Sequence, residues 1–253
     1  MEWQILGSFG GMSPTCRMTS FLINGELALD AGSITQALPI EAQHEIRRIV
    51  LTHSHLDHIA SIPFLVENTF SKLQEPLEIL LTPQVLHTVK RHLFNNDTWP
   101  DFTRIPNDFP ALQLTQVAPR SPFEVLGLRL TAIPVRHTVP THGYLVEDAG
   151  GSVLFTSDTG PTEEVWHVAN RTGNLRAIIV ELSFPNRLQE VADVSLHLTP
   201  RTLAGELAKL TRDVPVYLYH FKPPYVDELR EEVRTTAFPH PVEELRQGDT
   251  YRF

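Results

Sequence analysis

The 253 residues carry 21 Lys and Arg against 30 Asp and Glu, a formal net charge of -9. That balance excludes the broad basic footprint with which proteins grip long nucleic acids, yet it leaves room for a small anion held by the local field of bound divalent metals. Hydrophobic residues at 42% and charged residues at 20% exclude fibrous and disordered chains, and the length fits one large α/β domain spanning 1–253, the default reading, or two fused half-domains.

In chain order, MEWQILGSFGG lacks the basic and apolar regions of a signal peptide, and no apolar run approaches membrane-spanning length, so a cytoplasmic protein without membrane contact is expected. WQILGSFGG, TSFLING and ELALDAG read as short strands separated by turns, an antiparallel meander. The Gly-rich stretch between the first two has no helix after it, so it is not a dinucleotide fingerprint. It reads as a turn, with backbone N–H groups or Arg17 offered to a ligand as the functional alternative. Cys16 is the only cysteine, so no intrachain disulfide forms. EAQHEIRR predicts a helix, RIVLT a buried strand, PFLVENTFSKLQ a helix with Phe64, Leu65, Phe70 and Leu73 on its apolar face, LEILLT a strand, and PQVLHTVKRHLF a helix with Pro83 in its first turn.

From about 95 to 122 the chain is rich in Pro, Asn and Asp and reads as a long ordered loop insertion with one strand at LQLTQV. Trp99 and Phe102 in this loop either stack on a ligand or anchor the loop to the core. LRLTAIPVRH, GYLVED, SVLFTSD and LRAIIVELS follow as strands, TPRTLAGELAKL as a helix and VPVYLYH as a final strand. Two strand-rich halves with helices outside predict two sheets packed face to face and covered by helices.

The chemistry gathers where RIVLT ends, in THSHLDHI. His53 and His55 are two apart on extended backbone and point to the same side; Asp57 and His58 follow where the chain turns toward a helix. Imidazole nitrogens and a carboxylate oxygen at this density are the ligand types of Zn²⁺, against the alternative of histidines brought together by chance. Two metals need more ligands, and His137, Asp158 and His220 each follow a β-rich run and precede a turn signal. His44, His87, His92, His167 and His240 lack a ligand partner at useful spacing and read as surface or packing residues. His142 reads as a turn residue, with a place at the pocket mouth as the alternative.

These stretches resemble the metallo-β-lactamase superfamily, specifically the phosphodiesterase branch that includes ribonuclease Z and the class II 3',5'-cyclic nucleotide phosphodiesterases. THSHLDHI is similar to its H-x-H-x-D-H motif, LALDAGS to its first Asp motif, His137 and TSDTG to its third and fourth, and YHFKPPY to the final His motif of ribonuclease Z. VELSFPN and SLHLTPRTLAGEL resemble the segments supplying a Glu and His pair, here Glu181 and His197; RHLFNNDTWPDFTRIP resembles a segment of the class II enzymes. The basic, Gly-rich arm with which ribonuclease Z grips tRNA has no counterpart here.

The resemblance implies an αββα metallo-β-lactamase sandwich of two packed mixed sheets flanked by helices. It implies two divalent ions, Zn²⁺ or alternatively Mn²⁺: His53, His55 and His137 on one, Asp57, His58 and His220 on the other, Asp158 bridging and Asp30 supporting from beneath. It further implies a homodimer that hydrolyses 3',5'-cyclic nucleotides to nucleoside 5'-monophosphates by a bridging hydroxide, with Asp57, His197 and Glu181 as catalytic residues. His197 held by Glu181 would protonate the leaving oxygen; capping or packing near the helix TPRTLAGELAKL is its structural alternative. Competing functions are ribonuclease Z-like RNA cleavage, another hydrolysis on the same metals, and a scaffold role without activity.

Overall fold

Apolar and β-branched runs become strands because their side chains pack on a pleated, half-buried surface; in the computed structural model, which describes residues 1–253, they gather into two seven-stranded sheets. The first half runs β1 (Glu2–Gly7), β2 (Ser20–Ile23), β3 (Leu27–Leu29), α1 (Ile34–Ala37), α2 (Ile40–Gln43), β4 (Arg48–Val50), α3 (Leu56–Ile59), α4 (Ile62–Thr69), β5 (Leu77–Leu81), α5 (Pro83–His92) and β6 (Leu112–Gln116). The second runs β7 (Pro122–Val125), β8 (Leu128–Val135), β9 (Thr141–Asp148), β10 (Gly151–Phe155), α6 (Glu164–Arg171), β11 (Leu175–Glu181), α7 (Gln189–Ser195), α8 (Pro200–Leu207), β12 (Val216–Tyr219), α9 (Val226–Thr235), β13 (Val242–Glu244) and β14 (Thr250–Arg252).

The sheets have the orders β14-β1-β2-β3-β4-β5-β6 and β13-β12-β11-β10-β9-β8-β7. Both follow one plan. From β14 to β3 and from β7 to β10 the neighbours are antiparallel; from β3 to β6 and from β10 to β13 they are parallel. Parallel neighbours need long crossovers, which carry the helices to the outer faces.

Burial divides accordingly. Trp3, Phe21, Leu29, Leu130, Tyr144, Phe155 and Tyr219 fill the layer between the sheets. Ile49, Leu51, Ile62, Leu65, Ile79 and Val85 pack the first sheet against its helices, and Ile178, Val180, Val165, Leu203, Leu207 and Leu229 do so for the second. This is the αββα sandwich expected from the sequence.

The local differences have physical reasons. The helix expected over EAQHEIRR stops at Gln43, because Arg47 and Arg48 both donate their N–H to Glu26 O and Arg48 opens β4. VPVYLYH is not the last strand: β13 extends the second sheet, and β14 returns to pair with β1. Helix α7 escapes sequence reading because it buries only Ala192 and its apolar stripe is faint; in α9 the stripe of Val226, Leu229 and Val233 is present but sits among charged residues. The 95–122 segment contains β6 where LQLTQV predicted a strand. Its aromatics anchor it: Phe102 is buried in the first sheet's core, and Trp99 packs against that core with its ring 5.1 Å from Phe64. No helix is long and apolar enough to cross a membrane.

Candidate metal centre

Parallel strands leave their C-terminal ends at one edge of a sheet, and there the polar residues of both halves meet. His53 and His55 follow β4, and Asp57 and His58 start the next turn of helix in α3. His137 follows β8, Asp158 follows β10, Glu181 closes β11 and His220 follows β12. The ligand atoms of His53, His55 and His137 lie within 4.8 Å of one another, as do those of Asp57, His58, Asp158 and His220. All seven residues singled out from the sequence are thus brought together, in two adjoining groups.

Backbone strain marks the same place. Asp30, Ser157, Leu196 and His220 are four of the eight non-glycine residues with positive φ, at 57°, 58°, 54° and 74°. Such conformations cost of order 1–3 kcal/mol each and persist only where the surroundings enforce them. Close packing enforces them here: a Cβ on Gly10 would lie 2.5 Å from the His220 ring, and one on Gly32 would lie 2.1 Å from Asp57 O.

A web of hydrogen bonds ties down the outer nitrogen of most of these histidines. His58 Nδ1 donates to Asp30 Oδ2 at 2.7 Å. The Thr52 hydroxyl donates to the same Asp30 oxygen at 2.8 Å, so its own oxygen is left to accept from His53 Nδ1 at 2.9 Å. Ser183 likewise donates to Glu181 Oε2 at 2.8 Å and accepts from His220 Nδ1 at 2.9 Å. His137 Nδ1 donates to Leu196 O at 3.1 Å. With one nitrogen committed outward as a donor, each neutral ring turns the lone pair of the other inward, the state a metal ligand requires.

Two of the inward atoms lack a hydrogen-bond partner in the protein. Nε2 of His58 and of His220 is buried without a hydrogen bond, although each approaches Asp158 Oδ2, at 3.3 and 3.1 Å. His53 Nε2 and His137 Nε2 both face His55 Nδ1 at 3.2 Å. Lone pairs converging on one another and on a carboxylate repel unless a cation sits among them. The donor set therefore fits divalent metal ions.

For His53, His55, His137 and His220 the titration behaviour agrees with the neutral state. Burial and the neighbouring imidazoles push His53 far below the ordinary histidine value; burial likewise lowers His55 and His137 and takes His220 down to about 4. Burial opposes charge on His58 too, but Asp158, Asp30 and Asp57 outweigh it and hold its pKa well above normal. Asp57 and Asp158 stay well below the carboxylate range, because the histidines around them outweigh the effect of burial. The cluster is a carboxylate field that draws in positive charge.

Beside it, His197 Nδ1 donates to Glu181 Oε1 at 2.8 Å, with both residues buried. Glu181 also accepts from the Thr159 N–H, at 3.1 Å, and from Ser183, so the carboxylate is held on three sides. Burial would lower the His197 pKa, but Glu181 raises it. Its ring centroid is 4.9 Å from that of His137 and 5.3 Å from that of His220. The cap of α8 is made by Thr199 with Thr202, so His197 does not serve as that cap.

Sequence reading missed Thr52 and Ser183, which bridge elements, and Lys222, whose Nζ lies 3.7 Å from Asp57 Oδ2. His142 is neither a turn residue nor at a mouth: it is buried in β9, where its N–H donates to Thr52 O. His44, His87, His92, His167 and His240 stay outside both groups.

Residues 21–221 match the family model described as Beta-lactamase superfamily domain. Ribonuclease Z of Mycobacterium sp. (strain KMS) is 29% identical over 224 residues, covering 80% of this chain and 76% of that protein. Among solved structures, unliganded yeast PDE1 is similar with a TM-score of 0.82 at 19% identity, over 98% of each chain. The short form of human tRNase Z gives 0.71 at 16% identity, over 100% of this chain and 99% of that one. At such identities the two structures speak to the fold.

Proposed function

This chain belongs to the beta-lactamase superfamily, and from that premise we propose that it is a metal-dependent phosphodiesterase that hydrolyses 3',5'-cyclic nucleotides to nucleoside 5'-monophosphates. His53, His55 and His137 would hold one divalent ion, Asp57, His58 and His220 the other, and Asp158 both, with zinc as the native metal and a homodimer as the assembly. Bound there, such ions polarise a phosphoryl oxygen and lower the pKa of water. The chain's own residues orient the donors through Asp30, Thr52 and Ser183, bind the phosphate edge and move a proton.

The observation that carries a phosphodiester over an amide or thioester is the buried His197 and Glu181 pair beside the donor cluster. A ribose 3'-oxygen leaves poorly as an alkoxide and needs a proton as the P–O bond breaks. With Nδ1 committed to Glu181, the other nitrogen of His197 is left to deliver that proton beside His137 and Asp158. Glu181 is a positioning residue that fixes the ring. A small substrate is favoured over a long RNA by the net charge of -9.

A second reading, cleavage of RNA, is favoured by the likeness to ribonuclease Z of Mycobacterium. Assaying the four 3',5'-cyclic mononucleotides beside a pre-tRNA and nitrocefin separates these readings. Release of 5'-monophosphates from the cyclic esters is expected; activity confined to pre-tRNA or nitrocefin would overturn the proposal.

A further inference from the structure

A cleft of about 600 Å³ opens between the glycine turn after β1 and the segment after β12. Gly10 and Gly11 form one wall; Phe184, Lys222 and Tyr225 form the other. It adjoins the candidate metal centre directly. Phe184 lies with its ring 5.8 Å from His197 and 6.1 Å from Tyr225, and Lys222 reaches toward Asp57. No Asp or Glu lines the cleft.

Resting on the phosphodiesterase reading above, we propose that this cleft is the nucleobase site: the base stacks on one of the two rings, Phe184 or Tyr225, and packs against the edge of the other, since the rings are tilted 51° to one another, and Lys222 meets the anionic phosphate where the cleft joins the metal centre. Several observations favour a planar aromatic occupant. Both rings are half-buried and line the cleft. Tyr225 is fixed in place: the Arg187 guanidinium sits 5.4 Å from its centroid and is itself held by Glu228 in a two-bond pair at 2.8 and 3.0 Å. A preorganised ring loses little freedom when a base stacks on it. Gly11 lets the chain after β1 approach Pro223 at the cleft, since a Cβ there would come within 3.1 Å of it. Trp99 and Phe102, the other aromatic candidates, are committed to the core of the first sheet.

Stacking of this kind is sequence-tolerant because every base has a π-face, and it would contribute about 5- to 150-fold in affinity per base. The site would therefore discriminate weakly among bases while still distinguishing a nucleotide from a ribose phosphate without one.

The test compares cyclic AMP with methyl ribofuranoside 3',5'-cyclic phosphate, its base-less analogue, on the metal-loaded protein. Cyclic AMP is expected to show the lower KM by about 5- to 150-fold. Phe184→Ala and Tyr225→Ala should each shrink that ratio toward one, and Phe184→Trp should preserve it. If Phe184→Ala fails to fold, Phe184→Leu, which keeps the apolar bulk without the planar face, takes its place. A ratio untouched by any of these substitutions overturns the base site. Should the native protein hydrolyse neither ester, the phosphodiesterase reading fails separately, and equilibrium binding of AMP decides the site. Binding weakened by Phe184→Ala or Phe184→Leu upholds it; no binding of AMP, or binding these substitutions leave alone, rejects it.

Discussion

In the first sheet, β3 and β4 end in Asp30 and in the loop from His53 to His58; in the second, the strands at equivalent positions, β10 and β11, end in Asp158 and Glu181. The two aspartates occupy matching places next to a residue of positive φ or in that conformation themselves, yet their surroundings differ. Asp30 is enclosed by Thr52 and His58, which use both its oxygens. Asp158 directs Oδ2 at His53 and His58 of the first half and at His220 of its own. One strand plan thus yields a supporting carboxylate on one side and a carboxylate facing the donors on the other. The first half also concentrates its four donor residues on one strand end, while the second spreads His137, Asp158 and His220 over three.

That contrast is broken most severely at Asp158. Asp158→Ala would remove the carboxylate that faces His53 and His58 of one half and His220 of the other, so metal content should fall toward zero and kcat/KM by at least ~10³-fold. Metal analysis of the purified variant checks this; two equivalents retained would mean that the halves assemble the site without it.

His197→Ala comes next. As a proton donor beside the seven proposed ligands, with its Nδ1 committed to Glu181, it should reduce kcat by ~10²- to 10⁴-fold while metal content holds. Parallel loss of metal and turnover would reassign His197 to holding the site together.

Asp30→Asn asks whether the first half's aspartate is only a support. Asn tolerates the positive φ of this position and keeps an oxygen for His58, so the fold should survive. The neutral group makes His58 a weaker ligand, and metal affinity is expected to fall about 10- to 100-fold. A drop as complete as that of Asp158→Ala would erase the distinction between the two aspartates.

The same asymmetry explains what the sequence discloses. The first half's donors are legible because four of them share one strand end, in a motif with a physical reading of its own. His137, Asp158 and His220 are legible only as lone polar residues after strands, and their assembly rests on the pairing of strands distant in sequence. Thr52, Ser183 and Lys222 leave no local signal, since their roles are side-chain contacts formed only when separate elements meet. The apolar runs disclosed the strands of both sheets up to β12 apart from β7, whose Phe123, Glu124 and Val125 lie in a segment dominated by turn residues. They did not disclose β14, whose membership in the first sheet depends on Tyr251 and its neighbours returning to β1.

The smallest effect expected concerns how the halves are tied. Tyr144 in β9 is fully buried, and its hydroxyl donates 3.0 Å to Leu51 O, one residue before Thr52, while His142 of the same strand donates its N–H to Thr52 O. The second sheet therefore grips the backbone that presents His53. Tyr144→Phe keeps the ring in the inter-sheet layer and leaves the Leu51 carbonyl without that donor, a cost of about 1–2 kcal/mol. For a chain of this size that corresponds to a fall in Tm of roughly 2–4 °C per kcal/mol. Because the His142 contact remains, metal affinity should change far less than in Asp30→Asn. Thermal unfolding and metal titration of the variant measure both: an unchanged Tm would mean that the loop is held by its own half alone, and a metal affinity lost outright would make Tyr144 part of the site's positioning machinery.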